Sequence, residues 1–203
     1  MKRLLLVAAL AASAVSCVEG NRAVQLLQAN KMGADCAPSE ALINGNLNYD
    51  VSTNYLANFT LFSPVSEQSS SNRLDFFGRE IVLNYESRNP STSFTEEVIP
   101  IYLVVPAGTT DTNVIVPMIG DKARAKLEGA VPTFPDVMTL LVSMRLKGEM
   151  SSGSSVETNE VIFPIQISRA GSRCVAGQRV VPPEGACANP GQNGQEQAYT
   201  CAP

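Results

Sequence analysis

Five cysteines and no histidine bound the chemistry open to this chain. A thiol acts as nucleophile or metal ligand once a neighbouring base or cation makes it a thiolate, and imidazole is the commonest such base. Without histidine, Cys-His and Ser-His-Asp mechanisms are excluded. Cys174, Cys187 and Cys201 include no C-x-x-C pair, so a zinc site lacks both its close thiolates and its imidazoles, and no metal is expected on them. Disulfide formation is the chemistry that remains. Cys36, Cys174, Cys187 and Cys201 make an even set that can pair completely in three ways, and each way ties Cys36 to one of the three later cysteines. Cys17 is left over.

Carboxylates are the other candidates, because hydrolysis of sugars by two acidic side chains needs no histidine. Glu96-Glu97 is the one adjacent glutamate pair, yet neighbours on a strand point to opposite faces, so the expectation is a solvated loop pair with no joint role. Asn44, Asn46, Asn48 and Asp50 place oxygen ligands at alternate positions, as calcium loops do. The turn glycine and the bidentate glutamate of such a loop are replaced by Tyr49 and Tyr55, so no metal is expected there either. Lys122, Arg124 and Lys126 read as a solvated face on an acidic protein. No G-x-S-x-G elbow and no phosphate-binding glycine loop is present, and Asn58-Phe59-Thr60 matches a glycosylation acceptor in form only.

The fifth cysteine closes the leader. Lys2 and Arg3 are followed by an apolar run from Leu4 to Ala12 and then by Ser13, Ala14, Val15, Ser16 and Cys17, the pattern of a secretory signal peptide. The run is far shorter than the roughly 20 apolar residues that span a bilayer as a helix, so cleavage is expected, with residues 1–16 removed. Ala14-Val15-Ser16-Cys17 resembles the lipobox of bacterial lipoproteins, in which small residues precede a cysteine that is lipidated and becomes the first mature residue. The resemblance implies lipidation of Cys17 with several acyl chains. Each buried methylene contributes about 0.8 kcal/mol, so such an anchor is firm where a single chain is marginal. It also implies a place in the cell envelope, and because Val18 is not the aspartate that favours inner-membrane retention, the outer membrane is expected. The competing reading is ordinary cleavage after Ala12-Ser13-Ala14, which gives a secreted or periplasmic protein starting at Val15. Cysteine parity favours lipidation, since it removes the odd thiol.

Loss of Met1 to Ser16 takes away Lys2 and Arg3 but no carboxylate, which moves the formal charge from −4 to about −6 and argues against nucleic acid as a partner. The elements that position the cysteines are strands. Leu47, Tyr49 and Val51, then Tyr55, Ala57, Phe59 and Leu61, recur with the period of two that half-buried strands need, and Pro64 stops them before a serine-rich loop. Phe77, Ile81, Leu83 and Tyr85 form one side of a further run that ends at Asn89-Pro90. Val98 to Val105 is almost continuously apolar, which predicts a strand covered on both faces, and Val114 to Ile119 a short one after the Ala107-Gly108 turn. Asp121 as cap and Gly129 as stop predict one or two helical turns. Met138, Leu140, Val142, Met144 and Leu146 face Val161, Phe163, Ile165 and Ile167 across the glycine- and serine-rich 148–155, a hairpin expected at the centre of the core.

Strands recurring every ten or so residues indicate an all-β chain, an antiparallel β-sandwich of immunoglobulin-like architecture. The expected organisation is a signal peptide at 1–16, a lipidated N-terminus, tether and first strand at 17–35, the sandwich at 36–168, and a Gly/Pro/Cys-rich tail at 169–203. Such a tail buries too little apolar surface to offset its ordering entropy, so it needs disulfide staples. With no cofactor expected, the functional expectation is a non-catalytic binding or structural module. It would be held to the membrane through Cys17 and would meet an envelope protein or glycan through its loops. The alternative is an envelope hydrolase using carboxylates, for which no constellation stands out.

Overall fold

The structure, a computed structural model, describes residues 22–64, 74–88, 92–169, 174–181, 184–185, 187–189, 191–192 and 200–203. The leader, Cys17, most of the serine-rich loop and the Asn89-Pro90 break lie outside the described residues. In chain order the strands are β1 (Gln25–Met32), β2 (Pro38–Leu42), β3 (Gly45–Asn48), β4 (Leu56–Phe62), β5 (Phe76–Arg88), β6 (Glu97–Val105) and β7 (Thr112–Pro117). A short helix α1 (Asp121–Leu127) precedes β8 (Met138–Met150), β9 (Ser155–Glu157), β10 (Val161–Ser168), β11 (Arg179–Val181) and β12 (Thr200–Ala202).

Two sheets pack face to face. The smaller has the order β2-β1-β4-β7 and the larger the order β3-β10-β8-β5-β6, with β9 alongside β8. Among the described residues all strand pairings are antiparallel except β3 with β10, which are parallel. The fold is therefore the expected all-β sandwich, with one parallel pair that strand periodicity alone does not announce.

Period-two alternation explains the core. Met138, Leu140, Val142, Met144 and Leu146 of β8 are fully buried, as are Ile165 and Ile167 of β10, while residues between them face outward. Phe163 reaches across the gap, its ring centroid 5.9 Å from that of Tyr55 and 6.1 Å from that of Phe59, so β10 and β4 meet through aromatic edges. Each such side chain contributes roughly 1.5–3 kcal/mol on burial. Val161, at the margin of this hairpin, is half-buried.

Three local readings are corrected. The core residue at the start of β5 is Phe76, fully buried, and Phe77 faces the other way, because the register shifts between Gly78 and Glu80 and leaves Arg79 and Glu80 both exposed. An irregularity of this kind inverts every side chain on one side of it. β6 is covered on one face only. It lies at the edge of the larger sheet, with Val98, Tyr102 and Val104 exposed, and an edge is where the missing N–H of Pro100 is tolerated. The long hairpin closes late, since β8 continues to Met150 and the turn is confined to 151–154.

Candidate functional site

Strand direction gives the sandwich two ends. At the first, where β1 begins, the Arg22 guanidinium donates to the carbonyl of Thr158 and the Ser63 hydroxyl donates to that of Ala23 at 3.3 Å. The Ser63 amide donates to Thr109 O at 2.8 Å, while Asp75 accepts from the amides of Ala107 at 3.0 Å and Ser151 at 2.8 Å. These bonds gather the loops after β6, β8 and β9 around the point where the chain comes in. Across Pro106–Asp111 and 151–154 the residues are small, and Asp111 is the one charge.

At the second end the tail is fastened. Cys36 pairs with Cys187 over a separation of 151 residues, and Cys174 with Cys201 over 27. The first bond is the tie from tail to domain start that complete pairing requires. The Cys187 amide donates to Ala34 O at 3.1 Å beside it. Further along, the Asn48 amide donates to Gly191 O at 2.7 Å, and the buried Gln192 carboxamide satisfies both the N–H and the C=O of Leu56 at the head of β4. One side chain thus caps a strand whose first peptide would otherwise have no partner. β11 and β12 form a separate ribbon that the second disulfide closes.

The same end carries a cluster built round Arg169. Arg169 stacks 5.1 Å over the Tyr49 ring, donates to Asp50 at 3.2 Å and to Glu128 O at 2.7 Å, and pairs with the Glu128 carboxylate at 3.3 Å. Desolvation opposes its charge, but the bonds to Asp50 and Glu128 outweigh that and hold its pKa above the ordinary value. Burial raises the Tyr49 phenol, with Glu128 adding to the effect. Backbone bonds from Phe134 to Arg169 and from Arg169 to Pro132 fix the next loop, on which Phe134 is 64% exposed and Val137 39%. Aromatic and arginine side chains held rigid in this way have the composition of protein-binding surfaces.

The glutamate pair divides as strand geometry requires, but it is not a loop pair. Glu96 is exposed and meets Arg145 at 3.6 Å, and that guanidinium also meets Glu157 at 3.5 Å and Glu160 at 3.6 Å. Glu97 opens β6 facing inward and is buried. Its two oxygens accept from the amides of Lys122 and Ala123, each at 2.8 Å, so a side chain from another strand caps α1. Asp121, expected as the cap, is instead the first helical residue, and Gly120 stands at the N-cap with no side chain to offer. Gly120 is needed there: a Cβ on it would lie 2.6–2.7 Å from the Glu97 carboxylate. Tyr85 completes the cluster, its hydroxyl accepting from the Gly120 amide at 2.9 Å and bonding to Glu97, while burial pushes its phenol well above the ordinary tyrosine range. Glu97 is thereby occupied, and the two glutamates cannot flank a common bond.

The remaining sequence candidates are separated in the same way. Asn46 is on the outer side of β3, Asn48 accepts from the Asp50 amide at 3.2 Å, and Asp50 is held by Arg169, so these oxygens do not converge. Among the described residues no cluster of three metal-ligating side chains occurs. Arg124 pairs with Asp121 at 3.3 Å while Lys122 and Lys126 are solvated. Asn58 of the formal glycosylation triplet is buried within the smaller sheet. Sequence reasoning missed Arg169 and Phe134, whose only local signals are an arginine ending a strand and a Phe-Pro pair in a loop. Compared with known proteins, the chain matches no family, no curated relative and no solved structure.

Proposed function

We propose that this protein is an envelope lipoprotein, anchored at Cys17 in the outer membrane, whose sandwich is a non-catalytic module that binds an envelope protein or glycan. The observation that carries the reading is the cysteine pairing. Cys36–Cys187 and Cys174–Cys201 use four of the five cysteines, and the fifth is the one at the end of the leader, where a lipid takes it out of thiol chemistry. Oxidised pairs of this kind belong to an envelope or secreted compartment. A rigid sandwich that exposes Phe134 beside Arg169, whose guanidinium packs on the buried Tyr49 ring, supports binding as the activity.

Mass analysis of the mature N-terminus tests the anchor: a diacylated or triacylated Cys17 is expected, and an unmodified start at Val15 refutes it. Pull-down from envelope membranes tests the activity, with recovery of a discrete partner that Phe134→Ala and Arg169→Ala reduce at least about tenfold. Turnover of an envelope substrate that is lost on changing one acidic residue would instead establish the hydrolase.

A further inference from the structure

Resting on the anchor just proposed, we infer that the two ends of the sandwich have different partners: the end where β1 begins seats on the lipid surface and the stapled end faces away from it. The tether is short. From Cys17 to Arg22 is five residues, which reach at most about 17 Å when fully extended. The body is longer than that, since β4 alone rises about 20 Å from the stapled end to the first. Arg22 itself is fastened to Thr158, and Ala23 to Ser63, so the tether is joined to the domain at its first end.

The chemistry of the two ends agrees with this orientation. Pro106–Asp111 and 151–154 offer a lipid head-group layer small residues with one carboxylate, Asp111, and the exposed Arg22 stands at the same end to offset it. Lying flat on the larger sheet would instead press Glu96, Glu157 and Glu160, which outnumber the Arg145 and Lys147 that pair with them, onto an anionic surface. The stapled end carries the exposed Phe134 and Val137 beside Arg169, groups that suit a protein contact and sit a strand length from the anchor.

The chain contains no tryptophan, so one introduced tryptophan reports its own depth. Lipidated full-length Thr110→Trp, Ser152→Trp and Phe134→Trp variants, each at an exposed position, are floated with phosphatidylethanolamine and phosphatidylglycerol vesicles that contain a lipid with a nitroxide on its head group. Quenching at Thr110→Trp and Ser152→Trp is expected to exceed that at Phe134→Trp by about threefold or more, given the strand length between the two ends. Flotation with equal quenching, or with Phe134→Trp quenched most, overturns the orientation and leaves the anchor standing. Failure to float, with an unmodified N-terminus in the mass spectrum, removes the anchor and the orientation together.

Discussion

The sandwich and the tail that caps it are ordered by opposite means. In β8 from Met138 to Leu146 and in β10 from Phe163 to Ile167 alternate residues are apolar and buried, so the strands generate the stabilisation that holds them. Between Cys174 and Cys201 the described tail buries little beyond Cys187 and Gln192, and it is kept by two covalent links and by side-chain bonds to the ends of strands. The first kind of order is spread over many contacts and degrades gradually. The second is concentrated at a few atoms and is lost in steps. A fold can therefore carry a loop-rich surface at one end without extending its core to support it.

Removing Cys36–Cys187 tests the contrast most severely. The closed loop spans 151 residues, for which chain-entropy arguments give about 5 kcal/mol, against about 3.5 kcal/mol for the 27-residue loop of Cys174–Cys201. A Cys36→Ala, Cys187→Ala double variant is expected to lose the larger amount in denaturant unfolding and to lose hydrogen-exchange protection at the Asn48 and Leu56 amides, which donate to Gly191 and Gln192 of the tail, while β8 and β10 keep theirs until global unfolding. Loss of protection in the strands at the same rate as in the tail would show that the two regions are one cooperative unit.

Phe163→Ala attacks the other side of the comparison. The ring is 4% exposed and joins the sheets through Tyr55 and Phe59, so truncation is expected to cost roughly 3–5 kcal/mol. An unchanged denaturation midpoint would mean that the β10 face has been assigned the wrong way round. Glu97→Ala lies between the two kinds of order, as a polar group inside the sandwich that holds a distant helix. It strands the amides of Lys122 and Ala123 and the Tyr85 hydroxyl, for an expected loss of about 2–4 kcal/mol in thermal or denaturant unfolding. Glu97→Gln, which keeps an acceptor, should lose less.

The smallest effect is a matter of pH. The Tyr85 phenol is raised above its unfolded value of 10.0 by burial and by the Glu97 charge, against the Gly120 amide bond that lowers it. A raised folded pKa means that the native state holds the proton more tightly, so this contribution is intact below pH 10 and falls as pH climbs from there toward the higher folded value. Tyr85→Phe is expected to cost about 1 kcal/mol at neutral pH and to flatten the alkaline decline. An identical alkaline slope in wild type and variant would assign that decline to other groups.

What was legible beforehand follows from the range of each interaction. Phe163, Ile165 and Leu140 sit in runs whose alternation is visible within eight residues, and their burial follows from it. The two disulfides could be expected as a set, because pairing is a matter of parity, but Cys187 rather than Cys174 or Cys201 as the partner of Cys36 depends on where Ala34 and Gly185 meet in space. Phe76 against Phe77 turned on a register shift opposite β8, and the exposed face of β6 on the outer side of the larger sheet being left open to solvent there. The glutamate pair was misplaced for the same reason.

By itself, then, the amino-acid sequence determined the strand periodicity, the all-β class, the even cysteine set and the exclusion of histidine chemistry, all properties of composition or of neighbours along the chain. Only the tertiary structure decided that Glu97 caps α1, that Gln192 completes β4, and that Arg169 gathers Tyr49, Asp50 and Glu128 into one surface. Each of these joins groups from 25 to 136 residues apart, and a charge or an amide carries no mark of a partner so distant until the sheets have packed.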